Sequence, residues 1–228
     1  YVKRAEQIRK LINDHFWPTP EMIRESSESF AKTQYTLGRT RYLIAQITPF
    51  GFSWRCDVYA NILAFLYGVQ DEQPAYRVSR FLRQIGVDKP YPVKVLYPVI
   101  QPGDADWREY FLVNLLNLPH HYHNGGIWPF VGGLWVRYLL RLQQPEVAED
   151  ALTSLAEVCR TGFDREWEFN EWAHGQTGQP MGKAYQAWSA ASYIAAYLAF
   201  QGEQIIEVDS DSPSESPVTK QATDTQKS

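Results

Sequence analysis

The sequence predicts an all-α protein. About seven stretches carry apolar residues at helical spacing, one stretch reads as extended, and the residues with unusual chemistry gather in the connections between helices. The first helix covers AEQIRKLINDHF, where Ile8, Leu11, Ile12 and Phe16 share a face, and it stops before Pro18 and Pro20. RYLIAQITPFGFSW, residues 41–54, has the apolar and β-branched content of a strand or extended connection, bounded by Gly38 and Pro49. DVYANILAFLYGV then reads as a buried helix. Asp57 is its N-cap, because a carboxylate there accepts an N–H of the first turn that has no helical partner. Further helices are expected at about 72–86, 107–117, 127–143, 146–161 and 184–201. Asn124-Gly125-Gly126 forms a tight turn, and Trp128-Pro129 opens the helix after it, with proline in the first turn where its missing N–H costs nothing.

With 228 residues, 44% of them hydrophobic, the chain can build one substantial core and is marginal for two. Residues 1–206 are read as one folded unit. Residues 207–228, EVDSDSPSESPVTKQATDTQKS, lack aromatics and large aliphatics other than valine and are expected to be a disordered tail. Five acids and two lysines give this tail −3 of the chain's net −4, so the folded body carries only −1. That balance gives no electrostatic case for nucleic acid or an anionic membrane as partner. No apolar run approaches the ~18–20 residues of a membrane span. Cys56 and Cys159 stand far apart with no metal-ligand spacing, which points to free thiols in a reduced, cytoplasmic protein. The chain opens at Tyr1 directly into a helical pattern, so a targeting segment or further domain upstream is left open.

Three loops concentrate the chemistry: KPYPVKVLYPVIQPGD, NLPHHYHNGGIWPF and EWEFNEWAHGQTGQPMGKAY. Functional groups on loops held by rigid helices are the expected arrangement. His120, His121 and His123 invite a metal reading, but they lack the i, i+4 spacing of two ligands on one helix, and the cysteines are remote in sequence, so no metal or other cofactor is expected. Aromatic residues make up 14% of the chain, including eight tryptophans, a surplus that core packing alone can use but that sugar-binding clefts also use, because flat rings stack on sugar C–H faces. In EWEFNEWAHG, three carboxylates, Glu166, Glu168 and Glu171, alternate with large rings. Either the rings are core and the acids rim it, or the acids work in an aromatic-lined cleft.

The run KVLYPVIQPGDADW…YHNGGIWPFVGGLWVRYLLRLQQPEVAEDAL resembles the C-terminal half of the neutral/alkaline invertases, which carry a Tyr-Pro segment, a Tyr-His-Asn-Gly-Gly-x-Trp-Pro run and a following helix. GFSWRCDVYANILAFLYG is similar to their Arg-x-Asp-x-x-x-Asn helix start, with Arg55, Asp57 and Asn61 in register. NEWAHGQTG with YQAWSAASY looks like their Glu-x-x-x-Gly-x-x-Gly segment and Gln-x-Trp-Ser helix. The resemblance covers about 40–200. It implies an (α/α)₆ barrel, of which seven helices make roughly the C-terminal half.

The resemblance also implies a glycoside hydrolase working with two carboxylates, in the inverting manner, on sucrose. The base falls on Glu171, with Glu166 and Glu168 as rivals separated from it only by the spacing to Gly175. Trp172 and its neighbours would shape the cleft. Arg55, Asp57, His123, Asn124, Trp128, Gln186 and Trp188 would contact sugar. Competing structural roles remain for several of these. Trp188 lies on a stripe with Ala191 and Ile194 or Ala195 that a core could use, His123 and Asn124 could serve only the turn, and Arg55 and Asp57 could close a helix start as a buried ion pair. The family's general acid, an Asp, has no matching motif here and is expected upstream of Tyr1; Asp57 is not its counterpart. The same layout also resembles the glucosidase domain of glycogen-debranching enzymes, which makes an α-1,6-glucosidic branch or another α-glucosidic oligosaccharide the alternative substrate. A non-catalytic carbohydrate-binding remnant is a third reading, and exposed helix faces in half a ring leave room for a homo-oligomer.

Overall fold

A computed structural model describes residues 1–17, 41–48 and 51–203. The tail at 207–228 lies outside these residues, as do Pro18, Pro20, Gly38 and Pro49. Seven helices occur among the described residues. They are α1 (Val2–Phe16), α2 (Val58–Leu66), α3 (Glu72–Gln84), α4 (Tyr110–Asn114), α5 (Pro129–Arg141), α6 (Pro145–Arg160) and α7 (Ala187–Phe200). Five short strands accompany them: β1 (Ile44–Thr48), β2 (Gly51–Asp57), β3 (Leu96–Tyr97), β4 (Trp172–Ala173) and β5 (Pro180–Met181). The helix-rich class therefore stands, with two small sheets added, a three-stranded one and a two-stranded one.

The core is built around α5, which packs on α2, α6 and α7. Val131, Trp135, Val136, Tyr138 and Leu139 are all buried on it, more than one stripe, because neighbours flank the helix on several sides. Trp135 and Tyr138 stack at 5.3 Å, the Tyr138 ring meets Phe65 of α2 edge-on at 5.1 Å, and its hydroxyl donates to the Ala75 carbonyl at 2.6 Å. A buried phenol with its one donor satisfied ties α5 to the start of α3 without leaving a polar orphan.

The sequence signals at the helix starts are realised. Asp57 accepts the Ala60 N–H at 2.9 Å, and Pro129 occupies the first turn of α5 after Trp128. β1 and β2 pair antiparallel with Ile44 opposite Cys56 and an irregularity in register between Ile44 and Gln46. β3 adds to its far edge, pairing Cys56 with Tyr97 and Asp57 with Leu96. Two elements depart from expectation. The helix foreseen at 107–117 shrinks to Tyr110–Asn114 because Leu115 turns left-handed at φ 56°. In α1 the amphipathic pattern makes a helix, yet it buries no residue. Ile8 and Leu11 remain exposed, while Phe16 at the end of the helix packs against the core and polar contacts add to it, Arg9 to Asp71 at 2.8 Å and the Asn13 amide to the Val69 carbonyl at 2.8 Å.

Candidate active site

Two backbone features meet at one edge of the helical body, the loop 117–127 and the hairpin 171–183. Ile127 and Ala173 exchange N–H to carbonyl bonds at 2.8 and 2.7 Å, and the Gly175 N–H donates to the His120 carbonyl at 2.9 Å. A Cβ on Gly175 would lie 2.1 Å from the Gly125 carbonyl oxygen, so glycine is needed for this close approach.

Glu171 is at the foot of the hairpin, half-buried, its N–H donating to the Lys183 carbonyl at 2.8 Å. Its Oε2 accepts the Lys183 N–H at 3.2 Å. Gly182, at φ +72°, is crowded against it: a Cβ there would sit 2.6 Å from Oε2 and 2.7 Å from the Trp172 ring. The carboxylate is thus held in place but keeps spare acceptor capacity, which is the condition for binding and deprotonating a water.

His123 and Asp57 share this neighbourhood. Burial pushes the His123 imidazole below its ordinary value, and the Asp57 and Glu171 carboxylates push it back up, so one ring feels both charges. The His123 ring lies flat on the Trp128 indole, with centroids 5.0 Å apart and planes within 2°. Burial raises the Asp57 carboxyl above the usual range, offset by the N–H groups of Ala60 and Tyr59 and by the nearby His123.

The remaining expected sugar contacts divide. Trp188 is 50% exposed at the start of α7, so it is not core, and Ala191, Ile194 and Tyr197 continue the exposed stripe. Gln186 is the half-buried N-cap of α7, its amide donating to the Ala184 carbonyl at 3.2 Å. Trp128 is covered by His123, and its Nε1 donates to the Tyr122 carbonyl at 3.1 Å. Trp172, expected to shape the cleft, is only 2% exposed, its ring against His121 and Tyr122. Asn124, expected to read hydroxyls, is buried with its amide committed to backbone. It accepts from the Ile100 N–H at 2.6 Å and donates to the carbonyls of Ile100 and Asn117. Arg55 is likewise buried. Its ion pairs are with Asp104 at 2.7 Å and Asp106 at 2.8 Å rather than Asp57, and it also donates to the Pro98 and Val99 carbonyls, clamping the 98–106 segment to β2.

The rival carboxylates separate. Glu166 is exposed and 3.3 Å from Arg160. Glu168 is 2% exposed, and its two oxygens accept the N–H groups of Phe163, Asp164 and Arg165 at 2.8, 3.0 and 3.0 Å, which hold its carboxyl below the usual range.

Residues 2–201 match the family described as alkaline and neutral invertase. The chain belongs to the alkaline and neutral invertase family. Among curated members, it is 30% identical over 166 residues to the probable alkaline/neutral invertase A, chloroplastic, of Arabidopsis thaliana, covering 72% of this chain and 26% of that protein. It is 27% identical over 164 residues to alkaline/neutral invertase E, chloroplastic, of the same plant, covering 70% and 26%. The chain thus spans about a quarter of the length of the invertases it matches. Among solved structures, the GH63 mannosylglycerate hydrolase from Thermus thermophilus, in complex with Tris and D-glycerate, superposes with a TM-score of 0.51 over 74% of this chain and 37% of that one, at 14% identity. At that identity the likeness is one of fold.

Three aromatic residues near the carboxylates in sequence stand out by backbone conformation rather than by pattern. Trp167, Phe169 and Tyr185 have φ of 63°, 49° and 61°, values that bulky side chains rarely adopt, and Trp167 and Tyr185 are exposed. Such conformations cost on the order of 1 kcal/mol or more each and collect at functional sites. Their aromatic identity was visible; only the backbone conformation singles them out.

Proposed function

We propose that this chain is the C-terminal part of a glycoside hydrolase catalytic domain, roughly half of an (α/α)₆ barrel, that cleaves sucrose with inversion and uses Glu171 as general base. The observation that carries the assignment is the state of Glu171. It is the one carboxylate of the EWEFNEWAHG stretch that is neither saturated, as Glu168 is, nor paired at the surface, as Glu166 is. Family membership supports the reaction class, and the exposed α7 stripe and α1 face support a body whose remaining helices come from another part of the protein.

In this reading a water beside Glu171 loses its proton to the carboxylate as it attacks the anomeric carbon, while an acid from a segment upstream of Tyr1 protonates the leaving oxygen. Inversion needs ~6.5–9.5 Å between the two carboxyl groups to admit that water. His123, backed by Trp128 and neutral at neutral pH, offers a ring nitrogen to a hydroxyl, and the Asp57 carboxylate is near enough to act on that ring. Trp188, Tyr185 and Trp167 offer flat exposed faces to sugar rings. Trp172, Asn124 and Arg55 support the walls.

The test is sugar release by the protein in its full natural length from sucrose, maltose, trehalose and a limit dextrin, with the anomer of the first product followed by NMR. Glucose and fructose from sucrose, with the new hemiacetal inverted, is the expected result. Release from the dextrin alone would move the substrate to an α-1,6-glucosidic branch, and binding without release would make the chain part of a carbohydrate-binding protein.

A further inference from the structure

Three histidines sit where the loop and the hairpin meet, and the proposed reaction uses none of them. The His121 and His174 rings meet edge-on at 4.7 Å, and the His120 ring is 6.2 Å from His174. Hydrogen bonds fix the ring protons of His174 and His121. His174 Nδ1 accepts from the N–H groups of Gln176 and Thr177 at 3.3 and 3.2 Å and lies 3.2 Å from the Thr177 hydroxyl, so its ring proton is on Nε2. His121 Nδ1 is 3.0 Å from the Pro119 carbonyl, which can only accept, so that nitrogen carries the proton. His120 Nδ1 is buried without a protein partner.

The His174 contacts belong to the turn that closes the Glu171 hairpin. The His174 N–H donates to the Gln179 carbonyl at 2.9 Å and the Gly178 N–H to the His174 carbonyl at 2.8 Å. A proton added to His174 Nδ1 has the Thr177 hydroxyl oxygen as an acceptor but turns the two N–H attractions into repulsions and places a cation against His121 and His120.

We propose that His174, with His120 and His121, makes a proton-sensitive latch that fastens the Glu171 hairpin to the His123 loop. Above neutral pH the latch is closed and Glu171 is positioned. On acidification the 174–179 turn loosens and the base loses its placement. The consequence for catalysis rests on Glu171 being the base; the latch itself does not. These three are positioning residues.

Burial, and after it the surrounding groups, favour the neutral form. Burial first, and then His121, lowers His174 below its ordinary value. Burial first, followed by His174, Lys94 and His121, lowers His120. Lys94 comes from the segment before β3, and Asp88 faces that lysine. For a depressed histidine, the unfolded chain binds more protons on the acid side. The stabilisation is therefore complete above the unfolded value of about 6.5 and is lost as pH falls from there toward the folded value.

The experiment compares wild type with His174→Asn in the full-length protein, without substrate, by amide hydrogen exchange of residues 172–181 between pH 7.5 and 5.0, corrected for intrinsic rates. Asn keeps an oxygen at the Nδ1 position that accepts the same N–H groups but takes no proton. Wild-type exchange should accelerate up to tenfold per pH unit below about 6.5, while the variant stays flat. Equal acceleration in both overturns the latch. The His174 ring in the wild type gives a check that needs no variant: a titration midpoint below the ordinary value is expected, and one at or above it overturns the proposal. His120→Asn, suited to φ 69° because Asn tolerates that region, should shift the acid limb to lower pH. In a pH–rate profile the acid limb of kcat should move with the exchange limb. If no sugar is turned over while exchange behaves as expected, the functional reading fails and the latch stands.

Discussion

Two carboxylates three residues apart show how this fold separates structural from chemical use of the same side chain. Glu168 ends the loop after α6 and is buried, accepting three N–H groups from 163–165. Glu171 begins the hairpin, half-exposed, and accepts a single N–H at 3.2 Å. The first carboxylate nucleates a loop that would otherwise leave three donors unpaired, and its acceptor capacity is used. The second is anchored on one side and open on the other. A general base requires the second condition and is precluded by the first, because a carboxylate stabilised by three N–H groups is a poor proton acceptor.

The comparison breaks most directly at Glu171→Gln. The amide keeps shape and most hydrogen bonds but takes no proton from water, so kcat of the full-length protein should fall by roughly 10²–10⁴-fold with KM little changed. Wild-type turnover in this variant would remove Glu171 from the chemistry.

Gly182→Ala tests the anchored side. The added Cβ would lie 2.6 Å from Glu171 Oε2 at a φ of +72°, so either the carboxylate or the hairpin shifts. Displacing a base by about 1 Å costs on the order of 10²-fold, which sets the expected loss of kcat between tenfold and that figure. A crystal structure of the variant should show Oε2 moved; unchanged kinetics would mean that the hairpin yields instead and that the base is not held by Gly182.

Much of this contrast is absent from the sequence. The helices were legible because packing against α5 demands apolar residues at helical spacing, and Asp57 and Pro129 were legible because capping and first-turn chemistry are local. β3 was not: two residues of an expected loop become a strand only because β2 offers its edge, a non-local fact. The exposure of Trp188 was undecidable on the same grounds, since a stripe of Trp188, Ala191 and Ile194 marks a face without saying what covers it. Glu166 and Glu168 look alike as letters. Their difference lies in where the backbone of 163–165 turns its N–H groups, and the partners of Arg55 and Asn124 are likewise invisible in the sequence, being remote carbonyls, carboxylates and an N–H.

Glu168→Gln sharpens the structural half. The amide presents one acceptor oxygen where two served three N–H groups, and turns a donor toward the others, so Tm should fall clearly while kcat per folded molecule changes no more than a few-fold. The wild-type contribution has a defined pH window. With the folded carboxyl held low, first by the Phe163 N–H, its stabilisation is full above the ordinary carboxylate value and is lost as pH falls through the folded one. The Tm difference between wild type and Glu168→Gln should therefore shrink on acidification below about pH 4. A difference that stays constant there would mean that the negative charge is not what organises the loop.

The smallest effect belongs to Glu166→Gln, and it tests whether Glu171 has been placed in the right register. Glu166 is two residues from Glu168 and is paired with Arg160 at 3.3 Å, with the side chains of both partners more than half exposed. An exposed pair in high dielectric gains little, because solvent screens the attraction and two long side chains must be held still. Replacing the carboxylate should leave Tm and kcat within measurement error, with any change disappearing at high salt, where exposed charges are screened. A dead Glu166→Gln beside an active Glu171→Gln would shift the base by five residues along the chain and move the catalytic water from the hairpin to the loop after α6. In that case the three N–H groups around Glu168 would be the platform of the site rather than its neighbour.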